Sequence, residues 1–139
     1  MKIILSSNSP RRKELLAGLG VDFEVRVLKG VDERYPDDIP LNEVPLYIAI
    51  EKASAYTVAK DELVVTADTV VIVDNEILGK PKDRAEAYGM LRKISGKTHQ
   101  VVTGVCLTTI DDQRSFTVTT DVEFKELSDN EIYYYIDKY

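Results

Sequence analysis

The sequence predicts an α/β domain built on a mixed sheet, and three observations carry the prediction. Short, nearly continuous apolar runs, Ile3-Ile4-Leu5, Leu63-Val64-Val65 and Val70-Val71-Ile72-Val73, have the length and β-branched content of buried strands. Stretches with helix-start signals lie between such runs. Two longer alternating segments, joined by Asp111-Asp112-Gln113, read as one antiparallel hairpin. Strands interspersed with helices, plus one long antiparallel pair, indicate a mixed twisted sheet with flanking helices.

The elements follow in order. After Ile3-Ile4-Leu5, Ser9 is placed to cap a helix whose first residue is Pro10, where a missing N–H costs nothing. That helix carries Leu15, Leu16 and Leu19 on one face and stops at Gly18 and Gly20. Phe23, Val25 and Val27 alternate with Asp22, Glu24 and Arg26 as a strand with one polar face. The Tyr35–Pro45 segment reads as a loop, and Asn42 then caps a long helix from about 43 to 60. Asp74-Asn75 makes a turn. Asp83 with Glu86 forms a capping box for a helix ending near Ser95-Gly96. Strands over about 98–110 and 115–127 come next, with Phe116, Val118, Val122 and Phe124 on one face of the second. Ser128 with Glu131 forms another capping box, opening a helix that carries Ile132, Tyr135 and Ile136.

Composition bounds the function. A chain of 139 residues fits a single domain over 1–139. Its net charge of −6 argues against a general nucleic-acid or membrane-surface binder, so a polyanion needs a local basic pocket. The one cysteine, Cys106, lies in an alternating apolar segment and reads as a buried strand thiol. With neither a signal peptide nor a long apolar run, the expected location is the cytoplasm.

Ser7-Asn8-Ser9-Pro10-Arg11-Arg12 is the most informative stretch. A helix start carries unpaired N–H groups and partial positive charge, and acidic side chains are favoured there. This one has Arg11, Arg12 and Lys13 instead. Either the cluster is simply solvated, or strand, serine-rich turn, helix start and two guanidiniums together make a phosphate site.

Asp68 is the second signal, since Val64 to Val71 is too apolar to host a carboxylate without compensation. It is either a catalytic or metal-binding group, or it caps a nearby backbone group at a bulge or strand end. Lys52 lies between Ile48 and Tyr56 on a largely apolar helix face, and it either snorkels to solvent or reaches into a site. Lys80, between Gly79 and Pro81, sits on a constrained loop without Walker A spacing. Asp32-Glu33 is of interest as a source of oxygen ligands for Mg²⁺. His99, the only histidine, has no partner that would suggest zinc and reads as a satisfied structural residue. No Ser-His-Asp order or nucleophile elbow suggests covalent hydrolysis.

Ser7-Asn8-Ser9-Pro10-Arg11-Arg12, Asp32-Glu33, Glu51-Lys52-Ala53, Ala67-Asp68-Thr69-Val70, Gly79-Lys80-Pro81 and Ser95-Gly96-Lys97-Thr98-His99 occur in one order. The series strongly resembles the Maf family of nucleoside triphosphate pyrophosphatases. The resemblance implies a fold like that of inosine triphosphate pyrophosphatases, with two lobes around a cleft. It implies hydrolysis of a nucleoside triphosphate to the monophosphate and pyrophosphate with a divalent metal, Mg²⁺ or Mn²⁺. Carried onto this chain, Asp68 would be the proton acceptor or metal-linked base, and Glu33 would join it around the metal. Ser7, Ser9, Arg11, Arg12, Lys52 and Lys80 would contact the substrate. Arg11 and Thr69 resemble the subgroup acting on dTTP and UTP and would set specificity. A homodimer is a family-level expectation. Family members continue past a segment resembling Tyr135-Ile136 into a loop with a specificity glutamine, so the chain reads as C-terminally truncated. Two other readings compete: a non-catalytic nucleotide-binding regulator, of septum formation or cell division, and an inosine or xanthosine triphosphate pyrophosphatase.

Overall fold

The computed structural model describes residues 1–7, 9–28, 34–79 and 81–138. Its strands are β1 (Lys2–Leu5), β2 (Phe23–Val25), β3 (Glu62–Val73), β4 (Glu76–Leu78), β5 (Thr98–Thr108) and β6 (Gln113–Glu123). Its helices are α1 (Pro10–Gly18), α2 (Val44–Ser54), α3 (Arg84–Ile94) and α4 (Asp129–Lys138), with a 3-10 turn over Leu41–Glu43. The strands pair in the order β2-β1-β3-β5-β6, with β4 on β3. β1 runs parallel to both β2 and β3, while β4 is antiparallel to β3, so the sheet is mixed. The α/β class read from the sequence is the observed one.

The residues group into two compact units. The first comprises Met1–Thr69 and Thr103–Val118. Its core joins Ile4 and Leu5 of β1, Val64 of β3, and Val44, Ile48, Ala49 and Ala53 of α2, all buried. The small side chains Ala49, Ala53 and Cys106 pack together, and Thr66 donates its hydroxyl to the Ala49 carbonyl at 2.7 Å. Gly104 completes this close approach. A Cβ there would meet Leu46 N at 2.3 Å and Pro45 C at 2.5 Å, both backbone atoms. Small residues on both sides thus let α2 lie tightly against the strands.

The second unit comprises Val70–Val102 and Thr119–Tyr139. Asp74 and Asn75 both adopt positive φ (50° and 62°), the geometry of a tight turn between β3 and β4. Asp83 caps α3 by accepting from Glu86 N at 2.8 Å, and α3 ends at Ser95-Gly96 with Gly96 at φ +69°. The Ser128–Glu131 box is complete: each side chain takes the other residue's backbone N–H at 3.2 Å. Tyr88 stacks on Tyr133, and Ile132 is fully buried.

Several expectations are corrected. The helix expected over 43–60 ends at Ser54, because Tyr56 turns away to hydrogen-bond Arg26 O at 2.8 Å and the β-branched Thr57-Val58 follow. Asn42 is not its cap but lies in the 3-10 turn. The two apolar runs around Asp68 are one continuous strand, and the short β4 carries no periodic signal of its own. No residue of α1 is buried, and Leu15 and Leu19 are exposed; the helix is held through its N-terminal turn and the Arg12 side chain instead. Phe116 and Val118 of β6 are exposed, as that strand comes last in the order and has a strand neighbour on one side. His99 is 6% exposed and packs edge-to-face on Phe124. Its Nδ1 has no hydrogen-bond partner among the described residues, so it is not the satisfied histidine expected, and burial holds its pKa below the ordinary imidazole value.

Candidate active site

In the first unit, the turn after β1 brings two serines and an arginine together. Ser9 caps α1, its hydroxyl oxygen accepting from Arg12 N at 3.4 Å, and Ser9 N donates to Ser7 Oγ at 3.1 Å. The Arg12 side chain folds back over this turn. Its Nη1 donates to Ser7 Oγ (3.2 Å) and to the Ala67 carbonyl (3.5 Å), and its Nη2 donates to Thr69 Oγ1 (3.0 Å). A guanidinium has five N–H donors, so two have no acceptor among the described residues. Ser7 and Ser9 are engaged as acceptors, which leaves their own O–H groups to donate. Arg11 is exposed on the opening turn of α1, which carries no acidic residue.

From the other side comes Lys52. It follows Val44 and Ile48 at four-residue spacing, so the buried face of α2 delivers it towards β3. Its ammonium donates to the Ala67 carbonyl at 3.2 Å and lies 3.6 Å from Asp68 Oδ1. The sequence left two readings of Lys52 open, and the structure shows it reaching inward. Asp68 does not sit at a strand end. It interrupts the buried face of β3 in mid-strand, with its side chain 17% exposed and that of Lys52 19%.

One carbonyl oxygen, that of Ala67, therefore receives both an arginine and a lysine, directly before the carboxylate of Asp68. Among the described residues, two cations beside one carboxylate leave an excess of positive charge, the electrostatic requirement of a polyanion site. Thr69 is exposed, and its hydroxyl also meets that of Thr103 on β5 at 3.0 Å. Sequence reasoning missed Thr103, because the register between β3 and β5 has no local signature. Glu33 and Lys80 lie outside the described residues.

Among the described residues, no three of His, Cys, Asp and Glu gather as a ligand set. The metal donor that these residues offer is an oxygen, the carboxylate of Asp68, since the Ala67 carbonyl and the Ser7 hydroxyl oxygen each already accept two hydrogen bonds. A carboxylate is a hard donor that fits Mg²⁺ or Mn²⁺, and Mg²⁺ commonly takes one or two protein carboxylates plus substrate phosphates.

The family model described as Maf-like protein matches residues 2–139, and the chain belongs to that family. Among its relatives, a Phocaeicola vulgatus protein named dTTP/UTP pyrophosphatase is 60% identical over 99% of this chain and 72% of its own length. A protein of the same name from Bacteroides thetaiotaomicron is 59% identical with the same coverage. Among solved structures, the fold is shared with a nucleoside-triphosphatase / dITP/XTP pyrophosphatase from Mycobacterium abscessus (TM-score 0.52, 20% identity, 88% of this chain and 74% of that one). It is shared also with the Staphylococcus aureus Ham1 protein (TM-score 0.53, 15% identity, 88% and 71%). The fold is thus the mixed α/β one that the resemblance implied, at identities that speak for the fold alone.

Proposed function

We propose that this chain hydrolyses dTTP, UTP and related pyrimidine nucleoside triphosphates to the monophosphate and pyrophosphate, with a divalent metal. The observation that carries the reading is the convergence of Arg12 and Lys52 on the Ala67 carbonyl beside Asp68. The name borne by both relatives supports the substrate class.

The chemistry asks mainly for charge neutralisation and a positioned water. Arg12 presents its remaining donors to phosphate oxygens, and the Ser7 and Ser9 hydroxyls donate alongside. Lys52 holds Asp68 in place through its ion pair. Asp68 then accepts a proton as water adds to a phosphorus of the α–β anhydride, whose P–O bond breaks to release pyrophosphate. Asp68, with Glu33, would hold the metal, which when bound neutralises phosphate charge. Lys80 joins the phosphate contacts, and Arg11 and Thr69 select the base. The net charge of −6 sets the surface against nucleic acid, and no helix among the described residues is long and apolar enough to cross a membrane. The reading is completed by a cytoplasmic location and, through the family resemblance, a homodimer.

The test is product analysis over a panel of nucleoside triphosphates with Mg²⁺ or Mn²⁺. Pyrophosphate released from dTTP and UTP ahead of dITP and GTP is expected. Release of orthophosphate, or a preference for dITP, would overturn the reading.

A further inference from the structure

Thr103 carries a hydroxyl that the proposed chemistry leaves unused. This residue is half-buried on β5, a neighbour of β3 in the sheet, and its hydroxyl lies 3.0 Å from that of Thr69. Thr69 Oγ1 must act as acceptor towards Arg12, because a guanidinium can only donate. Its single hydrogen is then available to Thr103, or it takes the hydrogen of Thr103 on its second lone pair. Either arrangement fixes the oxygen from two directions. A threonine hydroxyl held by one contact alone rotates more freely about χ1 than one held by two. We propose that Thr103 is a positioning residue for triphosphate binding: its hydroxyl sets that of Thr69, which in turn aims the Arg12 guanidinium. The chain of contacts Thr103–Thr69–Arg12 runs from the sheet to the turn at the start of α1, and nothing else in the described structure gives the exposed Thr69 hydroxyl a second partner. Where Thr69 donates its hydrogen to Thr103, its oxygen also becomes the better acceptor for the cation.

This inference rests on the reading of the site as one that binds nucleoside triphosphates. Because Arg12 meets phosphates already charged in the ground state, misaiming it weakens binding more than it slows chemistry. Thr103→Val keeps the β-branched shape that a strand prefers and removes only the hydroxyl. Losing one neutral hydrogen bond corresponds to a change of roughly two- to tenfold.

The experiment measures KM and kcat for dTTP, together with the affinity of a dTTP analogue non-hydrolysable at the α–β bridge. Wild type, Thr103→Val, Thr103→Ser, Thr69→Val and the Thr69→Val/Thr103→Val double variant are compared. The expected result is that Thr103→Val raises KM and weakens the analogue by roughly two- to tenfold, that kcat moves less, and that Thr103→Ser restores both. In the Thr69→Val background, Thr103→Val should then have no further effect, since the partner through which it acts is gone. Wild-type KM and affinity in Thr103→Val would overturn the inference, as would a penalty undiminished in the Thr69→Val background. If wild type hydrolyses no triphosphate, the proposed function fails while analogue affinity still decides the role of Thr103; a chain that does neither overturns both.

Discussion

Breaking the Lys52–Asp68 pair should cost measurable stability, and the size of the loss reports how far the site is withdrawn from water. The charged atoms are 3.6 Å apart, with side chains 19% and 17% exposed. Unit charges at that separation attract by about 1 kcal/mol in bulk water and by about 5 kcal/mol at an effective dielectric constant of roughly 20. Neither figure is a net gain, because both ions lose hydration. Exposed pairs couple by about 0.2–1 kcal/mol, whereas truncating one partner of a fully buried pair costs about 3–5 kcal/mol. The intermediate exposure places the coupling here at about 1–2 kcal/mol. Lys52→Met also surrenders the bond to the Ala67 carbonyl, so the single variant should lose about 2 kcal/mol. Urea unfolding at neutral pH of wild type, Lys52→Met, Asp68→Asn and the double variant gives the coupling directly. A coupling below about 0.3 kcal/mol would refute the reasoning, since it would mean that water screens the pair as it does at an open surface.

Three other perturbations probe different parts of the structure. Arg12→Lys keeps the charge but not the fork that reaches Ser7, Ala67 and Thr69; KM for dTTP should rise by about tenfold in steady-state assays, and an unchanged KM would remove Arg12 from its assigned role. Gly104→Ala drives a methyl group into the backbone of Pro45-Leu46 and should cost about 3 kcal/mol in urea unfolding, with a fall in activity because α2 carries Lys52. Burial lowers the pKa of His99 from its ordinary 6.5, so the unfolded chain binds more protons than the folded one below that pH. The stability this buried neutral ring permits is present above about pH 6.5 and lost as pH falls below it. The urea midpoint of wild type should therefore drop between pH 7.5 and pH 5.5 by more than that of His99→Leu, and equal drops would contradict the assignment.

What could be read from the sequence was whatever is decided locally. Ser9, Asp83 and the Ser128–Glu131 box cap their helices because capping needs only a side chain and an N–H three residues away. Arg12 and Asp68 were visible as residues out of keeping with their surroundings, a cation at a helix start and a carboxylate in an apolar run. The meeting of Arg12 and Lys52 at the Ala67 carbonyl beside Asp68 was not visible, since it depends on the parallel pairing of β1 with β3 and on how closely α2 packs. That packing is set by Gly104, Ala49 and Ala53, small residues whose role emerges only when the elements touch. Thr103 escaped notice for a related reason: cross-strand neighbours are fixed by register, and register is not written in either strand alone. The leucines of α1 and the apolar face of β6 show the opposite failure, as periodicity marks a face without stating what covers it.

In the proposed mechanism Asp68 accepts the proton at a site whose cations bind the triphosphate. It is tested most directly by Asp68→Asn, assayed for pyrophosphate release from dTTP with Mg²⁺ and, separately, for affinity to a non-hydrolysable dTTP analogue. Turnover should fall by at least about a hundredfold, as expected for loss of a general base, with analogue affinity within about tenfold of wild type because Arg12 and Lys52 remain. Turnover at the wild-type rate, or a loss of turnover matched in full by a loss of binding, would contradict it.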